Sequence, residues 1–344
     1  MPTRDTVGDF PGLCITSLFY ALDSTILSTA LPTIAADLNS SSLYIWIVNA
    51  YIITFTAVQQ LYGQCAHIFG RKKSLLVAIS LFLLGSGICG GAHNTNMVIG
   101  GRAVQGLGGG GLSIIPGMVV CDVVPLRERA KHTGVVYGAF ALGTFIGPVV
   151  GGSMVDHIGW RWVFWLNLLI AGLALVLVMV FMQAKHGRSG STLTQLARID
   201  YVGNALLMGA VTSILLALSG TGSLDLWNSW RKWLPLLLGL LGLPLFVFFE
   251  GSPFYSQPTT PLRIFTNTVS ALDFLLTFLH GTPVLGELFL TSVFPSSLLA
   301  TPQQSGINTL AAAIPAVPFG NLGGSMISRT GHYRLNQIIG LHFL

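Results

Sequence analysis

Apolar runs of about 20 residues recur along most of this 344-residue chain, and they constrain its fold more than any other feature. A helix of ~20 residues rises about 30 Å, which matches the hydrocarbon core of a bilayer. Only 8% of the residues are charged, whereas soluble domains carry about 25%. These charges are too few to cover a surface that faces water. The sequence therefore predicts an all-α, polytopic membrane protein.

Ten complete membrane spans can be placed on the chain, and "LNQIIGLHFL" at its end predicts a partial eleventh. The predicted spans are residues 11–34, 46–66, 74–92, 97–120, 133–155, 162–183, 201–219, 234–249, 268–293 and 307–327. The eighth is short, and its boundaries are the least defined by the pattern.

The basic residues predict the orientation of these spans. Of the 17 Lys and Arg residues, 13 fall on the side of the N-terminus, 3 fall on the opposite side, and Arg102 lies within a span. Cytoplasmic loops carry an excess of Lys and Arg, so the N-terminus is expected in the cytoplasm. Asn39 then starts a glycosylation sequon in the first outer loop. Because the cations form no arm or stripe, nucleic acid is not an expected partner.

Two ionisable residues inside apolar spans are candidates for function. Asp23 lies near the middle of the first span, and an acid in a membrane helix is a functional hypothesis by default. Burial disfavours its charged form, as a proton carrier requires; the alternative is a structural acid bonded across helices. Arg102 is expected to face the interior of the bundle, with Gln105 on or near the same face of its helix. The alternative is that the Arg102 side chain extends to the outer membrane interface. Asp273 and Glu287 are weaker candidates.

The fifth span, which contains "GAFALGTFIGPVVGG", predicts a close helix interface. Gly143, Gly147 and Gly151 are spaced i, i+4 and i+8, so they share one face, and Gly152 follows them. Small residues at this spacing let two helices approach closely, and Pro148 removes a backbone hydrogen bond and bends the helix. Ordinary membrane packing is the alternative interpretation.

A loose repeat predicts the domain organisation. "GQCAHIFGRKK" at residues 63–73 and "GSMISRTGHYR" at residues 324–334 share two glycines seven positions apart, followed by basic residues. Eight predicted helices separate the two segments, and parallel repeats of helical bundles are typical of transporters. We expect a six-helix bundle at residues 1–184, two extra linker spans at 185–262 and an incomplete second bundle at 263–344.

These motifs, together with "GRAVQGLGGGG" and "LDSTILSTALPTI", resemble the signatures of the major facilitator superfamily. The segments "DVVPLRERAK", "WRWVFWLN" and "TPQQSG" resemble its fungal 14-helix drug:proton antiporter branch. The resemblance implies that Asp23 belongs to a substrate and proton cavity and that Arg102 takes part in proton coupling. It places residues 143–152 at the interface between the two halves. It also implies a cytoplasmic gate, formed by Gly63, Gly70, Arg71, Lys72 and Asp122.

The chain departs from the family pattern in two respects. His67 stands where the family has an acid or an amide, so it either weakens or pH-tunes the gate, or it reflects drift in a non-functional copy. Members of the family also have longer chains with six helices in the second bundle. The resemblance therefore implies a C-terminally truncated member of the family, which is a truncated gene model, a fragment or a degenerate copy.

The function predicted from these features is export of amphipathic organic compounds, such as drugs, toxins or secondary metabolites, by proton antiport. The plasma membrane is the expected location. The alternative is a non-transporting remnant or membrane binding protein of the same family, and uptake stays open as a direction. No nucleophile–base set, metal-ligand cluster or phosphate loop is evident in the sequence, so neither an enzyme nor a cofactor is expected.

Overall fold

The computed structural model describes residues 4–38, 43–182, 195, 198–219, 230–251, 266–279 and 326. All continuous secondary structure in these ranges is helical. The helices are α1 (Arg4–Asp37), α2 (Tyr44–Ile68), α3 (Arg71–Gly90), α4 (Thr95–Val123), α5 (Leu126–His157), α6 (Arg161–Phe181), α7 (Tyr201–Ser219), α8 (Trp230–Glu250) and the shorter α9 (Thr268–Leu279).

The first eight predicted spans each coincide with one of these helices, which confirms the all-α membrane fold. Within the described ranges, seven helices are long and apolar enough to cross a bilayer. The 25-residue α2 is not among them, because Asn49 and three glutamines lower its hydropathy. Helix α9 covers the start of the ninth predicted span. The rest of that span, the tenth and eleventh spans, Glu287 and Asn39 lie outside the described residues.

Two glycines make the tight turns between successive helices possible. Gly70 has a φ of 97° between α2 and α3, and Gly159 has a φ of 98° between α5 and α6. Only glycine adopts these angles without strain, because it lacks a Cβ. Asn94 begins α4 differently: its side-chain oxygen accepts a hydrogen bond from the Met97 backbone N–H at 2.8 Å. Such a cap satisfies one of the free donors at a helix N-terminus.

Glycines on two sides of α4 bring α2 and α3 into contact with its backbone. A Cβ added to Gly106 would overlap Thr54 Oγ1 and the Tyr51 carbonyl oxygen of α2. A Cβ added to Gly108 would lie 2.5 Å from the Ala78 carbonyl oxygen of α3. Helix α4 is therefore held between its two neighbours at backbone distance, and side chains on the same helix keep fixed positions relative to both.

The glycines of the fifth predicted span produce a second close contact, between α5 and α1. Added Cβ atoms at Gly143, Gly147 and Gly151 would each overlap atoms of α1, including the Leu18 carbonyl oxygen and Thr25 Oγ1. The resemblance had placed these glycines between the two halves of the protein. Among the described residues these glycines contact α1, inside the first group of six helices. Most of the second half lies outside the described residues, so its interface with α5 stays a prediction. Helix α5 continues through Pro148, and Gly152 is buried.

Helices α7 and α8 form a pair that packs on the first six helices through α2. Asn204 Nδ2 of α7 donates a hydrogen bond to Gln64 Oε1 of α2 at 2.7 Å. Near the other end of α7, Asn49 Nδ2 donates to the Ser219 carbonyl oxygen at 3.4 Å. Amides inside apolar helices form such bonds because no water is present to satisfy them.

Candidate transport site

A buried ion pair joins α1 to α4. Arg102 Nη1 lies 3.1 Å from Asp23 Oδ2 and 3.4 Å from Asp23 Oδ1. The Asp23 side chain is 1% exposed and that of Arg102 is 2% exposed. The arginine therefore faces the interior of the bundle, rather than extending to the outer interface. The carboxylate neutralises its charge inside the bundle, away from water.

Three uncharged side chains complete the hydrogen bonding around this pair. Gln105 Nε2 donates to Asp23 Oδ1 at 2.8 Å and to Ser86 Oγ at 2.9 Å, and its Oε1 accepts from Arg102 Nη1 at 2.7 Å. Asn167 Nδ2 donates to Asp23 Oδ1 at 2.5 Å. We call these five residues of α1, α3, α4 and α6 the buried polar network.

Local sequence explains how these side chains meet. Arg102 and Gln105 are three residues apart, so they lie on one face of α4. On α3, Gly85 contacts the Gln105 backbone, and this close approach brings the next residue, Ser86, within reach of the Gln105 amide. From α2, the ring of Tyr51 packs against the guanidinium, whose Cζ is 4.1 Å from the ring centroid. Such a contact stabilises a cation over an aromatic face.

Three buried polar atoms at this site have no hydrogen-bond partner among the described residues. They are Tyr51 Oη, Arg102 Nε and Asn167 Oδ1. Buried polar groups in proteins are nearly always bonded, so unbonded ones are notable. The site thus combines a charge pair with spare donor and acceptor capacity.

The sequence singled out Asp23, Arg102 and Gln105, and the structure brings all three together. It did not single out Asn167, Ser86 or Tyr51. A signal for Asn167 was present, because it is the one amide in the apolar segment from Arg161 to Phe181. The reasoning that selected Asp23, that polar groups in a membrane helix need a partner, applies to it as well.

A second cluster lies at the ends of α3 and α4, where the resemblance implied a gate. Arg71 Nε donates to Asp122 Oδ2 at 2.8 Å, and Arg71 Nη1 contacts Met118 Sδ at 3.5 Å. The two charged side chains are 20% and 45% exposed. Lys72 Nζ donates to the Met179 carbonyl oxygen of α6 at 2.8 Å, so it lies apart from this pair.

The remaining residues of the expected gate contribute no bond to this cluster. Gly70 forms the turn before α3, and an added Cβ at Gly63 would meet no atom within 4 Å. His67 is exposed near the end of α2 and has no hydrogen-bond or ion-pair partner within the described part of the chain. Asp273 is exposed on α9, far in sequence from the buried polar network.

Comparison with known proteins identifies the family. The family model described as the Major Facilitator Superfamily matches residues 13–343. The chain belongs to the major facilitator superfamily. It is also similar to solved transporter structures, among them the proton:xylose symporter XylE bound to 6-bromo-6-deoxy-D-glucose. That match has a TM-score of 0.61 and 15% identity, and it covers 95% of this chain and 70% of XylE. At this identity the likeness supports the fold alone.

Several curated fungal proteins are similar to this major facilitator superfamily chain. The MFS-type efflux pump LUC4 of Fusarium is 42% identical over 332 residues, which cover 96% of this chain and 59% of LUC4. Efflux pump FUS6 of Gibberella fujikuroi is 43% identical over 332 residues, which cover 96% of this chain and 60% of FUS6. The MFS efflux transporter aclA of Aspergillus oryzae is 41% identical over 326 residues, which cover 94% of this chain and 59% of aclA. The chain spans about 60% of the length of these relatives.

Proposed function

We propose that this multi-pass membrane protein exports small amphipathic organic compounds in exchange for protons. The single observation that carries the proposal is the buried polar network, in which the Asp23 carboxylate is paired with Arg102 inside the bundle. A charged side chain at the centre of a membrane costs at least about 2.5 kcal/mol. Ionisable groups there mark ion and proton pathways more often than structural contacts. The names of its relatives support efflux as the direction.

Proton exchange at Asp23 would change the contacts of Arg102. When the carboxyl group is ionised, it neutralises the guanidinium through Nη1. When it is protonated, the guanidinium retains Gln105 Oε1 and the ring of Tyr51. Protonation would therefore remove one attraction between α1 and α4, while the guanidinium keeps a hydrogen bond and an aromatic contact. In our proposal this change biases the two bundles between their inward-open and outward-open arrangements.

The driving force is adequate for concentrative export. One proton crossing ~100 mV supplies about 2.3 kcal/mol. A gradient of about two pH units adds roughly 2.7 kcal/mol, at ~1.36 kcal/mol per unit. Together they could sustain roughly a thousandfold gradient of substrate, since each ~1.4 kcal/mol is tenfold.

Two further parts of the proposal are the membrane in which the protein lies and its cytoplasmic gate. We place the protein in the plasma membrane. Its N-terminus would lie in the cytoplasm, because the basic residues concentrate on the side of the N-terminus. The Arg71–Asp122 ion pair would then lie at the cytoplasmic ends of α3 and α4. Being partly exposed, this pair can open at little cost, as a gate requires.

The test is proton-driven transport by the 344-residue chain in proteoliposomes. An imposed pH gradient would drive movement of fluorescent amphipathic dyes, with rhodamine 6G as the first probe. Dye movement is expected to require the gradient and to be lost in Asp23→Asn. The control is Asp156→Asn, which removes an exposed acid near the end of α5 and is expected to transport normally. Equal dye movement in Asp23→Asn would contradict the role of Asp23. Dye binding without gradient-driven movement would favour the non-transporting binding protein.

A further inference from the structure

The two oxygens of the Asp23 carboxylate have different surroundings. Oδ1 accepts hydrogen bonds from Asn167 Nδ2 at 2.5 Å and from Gln105 Nε2 at 2.8 Å, with Arg102 Nη1 further away at 3.4 Å. Among the described residues, Oδ2 accepts from Arg102 Nη1 alone, at 3.1 Å. The amide donors come from two different helices, α6 and α4, and both converge on Oδ1.

This asymmetry determines where a proton can bind. Each carboxylate oxygen offers about two lone-pair sites. At Oδ1 both are directed at amide donors, whereas Oδ2 retains a free site. We propose that Asn167 is a positioning residue that fixes Oδ1 as the hydrogen-bonded oxygen of Asp23, so that the transported proton adds to Oδ2. The inference rests on the proposed proton coupling and names the atom and the residue that control it.

The step is a simple proton addition. A proton from a hydronium ion forms an O–H bond at the free site of Oδ2 and leaves a water molecule behind, and the contact between Arg102 Nη1 and Oδ2 loses its ionic attraction. Oδ1 becomes the carbonyl oxygen and keeps its bonds from Asn167 and Gln105, so the carboxyl group does not rotate. The loss of negative charge at Asp23 therefore changes its interaction with Arg102, whereas the hydrogen bond from Asn167 of α6 is kept.

Asn167 can be changed without altering any charge around Asp23. The ionisable groups that interact with Asp23 are Tyr20 on its own helix, Tyr51 of α2, Cys89 of α3 and Arg102 of α4. Helix α6 contributes the uncharged Asn167. The α5 residues with a described contact to α1 at this level are Gly143, Gly147 and Phe140, and none of them is ionisable. A substitution at position 167 therefore changes the hydrogen bonding of Asp23 without changing a neighbouring charge.

Infrared difference spectroscopy of the full chain in lipid tests this directly. The C=O stretch of protonated Asp23 would be identified in acid-minus-neutral spectra as the band that Asp23→Asn removes. Hydrogen-bond donors on a carbonyl oxygen lower its stretching frequency. With the proton on Oδ2, the carbonyl is Oδ1, so Asn167→Leu is expected to move the band to higher wavenumber. Asn167→Gln, which keeps an amide donor, is expected to restore most of the shift.

A matched control and a second variant keep the test decisive. Asn204→Leu removes another buried amide, one that bonds Gln64 on α2 and not Asp23, and it should leave the band in place. If Asn167→Leu does not insert, Asn167→Ser shortens the side chain beyond reach of Oδ1 and should give the same upward shift. A band that is present but unmoved by both variants overturns the role of Asn167. No band at any pH would show that Asp23 does not exchange a proton, which defeats the proposed function itself.

Discussion

The contact between α3 and α4 makes a quantitative prediction about Gly108. An added Cβ would lie 2.5 Å from the Ala78 carbonyl oxygen and from the Phe82 backbone nitrogen of α3. Both are backbone atoms, which cannot rotate away as a flexible side chain could. Helix α3 would have to retreat by about 1 Å to restore an ordinary van der Waals separation. Overpacking of this kind costs about 1–3 kcal/mol of folding free energy.

Gly117 supplies the matched control on the same helix. A Cβ added at Gly117 would meet no atom within 4 Å. Gly108→Ala and Gly117→Ala share the gain in helix propensity, about 1 kcal/mol, so the difference between them isolates the packing cost. We expect Gly108→Ala to be less stable than Gly117→Ala by about 1–3 kcal/mol.

Thermal unfolding in detergent, followed by tryptophan fluorescence, measures this difference. A loss of about 2 kcal/mol lowers the unfolding midpoint by several degrees in a chain of this size. The retreat of α3 should also weaken the bond between Ser86 and Gln105, because both lie about one turn from the altered contact. Equal midpoints for the two alanine variants would refute the backbone contact between α3 and α4.

Three further predictions address other contacts. Arg102→Gln leaves the Asp23 carboxylate buried without its counterion, so we expect a loss of about 3–5 kcal/mol. The double variant Asp23→Asn/Arg102→Gln should lose clearly less stability than Arg102→Gln alone. Shifts of the unfolding midpoint that simply add in the double variant would contradict this coupling. Asp122→Asn breaks the partly exposed pair with Arg71 and should cost under about 1 kcal/mol while changing the transport rate; an unchanged rate argues against a gate. Asn94→Ala removes the cap of α4 and should cost about 1 kcal/mol, with Asn94→Asp restoring stability.

The sequence was informative where membrane physics leaves few choices. Charges in hydrocarbon stand out, so Asp23 and Arg102 could be selected from the apolar runs that surround them. The shared glycine face of α5 could also be predicted, because helical periodicity determines which residues lie together. Periodicity does not identify the neighbour, however. Several helices could pack on that face, and only the three-dimensional arrangement shows that α1 does.

Amides were harder to select than charges. Asn167 looks like an ordinary polar residue in a long apolar helix, and amides in membrane helices often bond across helices for stability alone. Its importance depends on the 2.5 Å contact with Asp23, which joins residues 144 positions apart. Spacing along the chain carries no information about such a pair. Ser86 and Tyr51 were missed for the same reason.

The buried pair between Asp23 and Arg102 is by itself weak evidence for stability. Replacing a buried ion pair with apolar residues is often neutral or stabilising, because desolvation offsets the attraction between the charges. What distinguishes this pair is that Gln105 bonds both partners and that Tyr51 stacks on Arg102. The guanidinium therefore keeps two contacts that do not depend on the charge of Asp23. Under the proposed proton exchange, these two contacts would keep the guanidinium bonded while the carboxyl group of Asp23 is protonated.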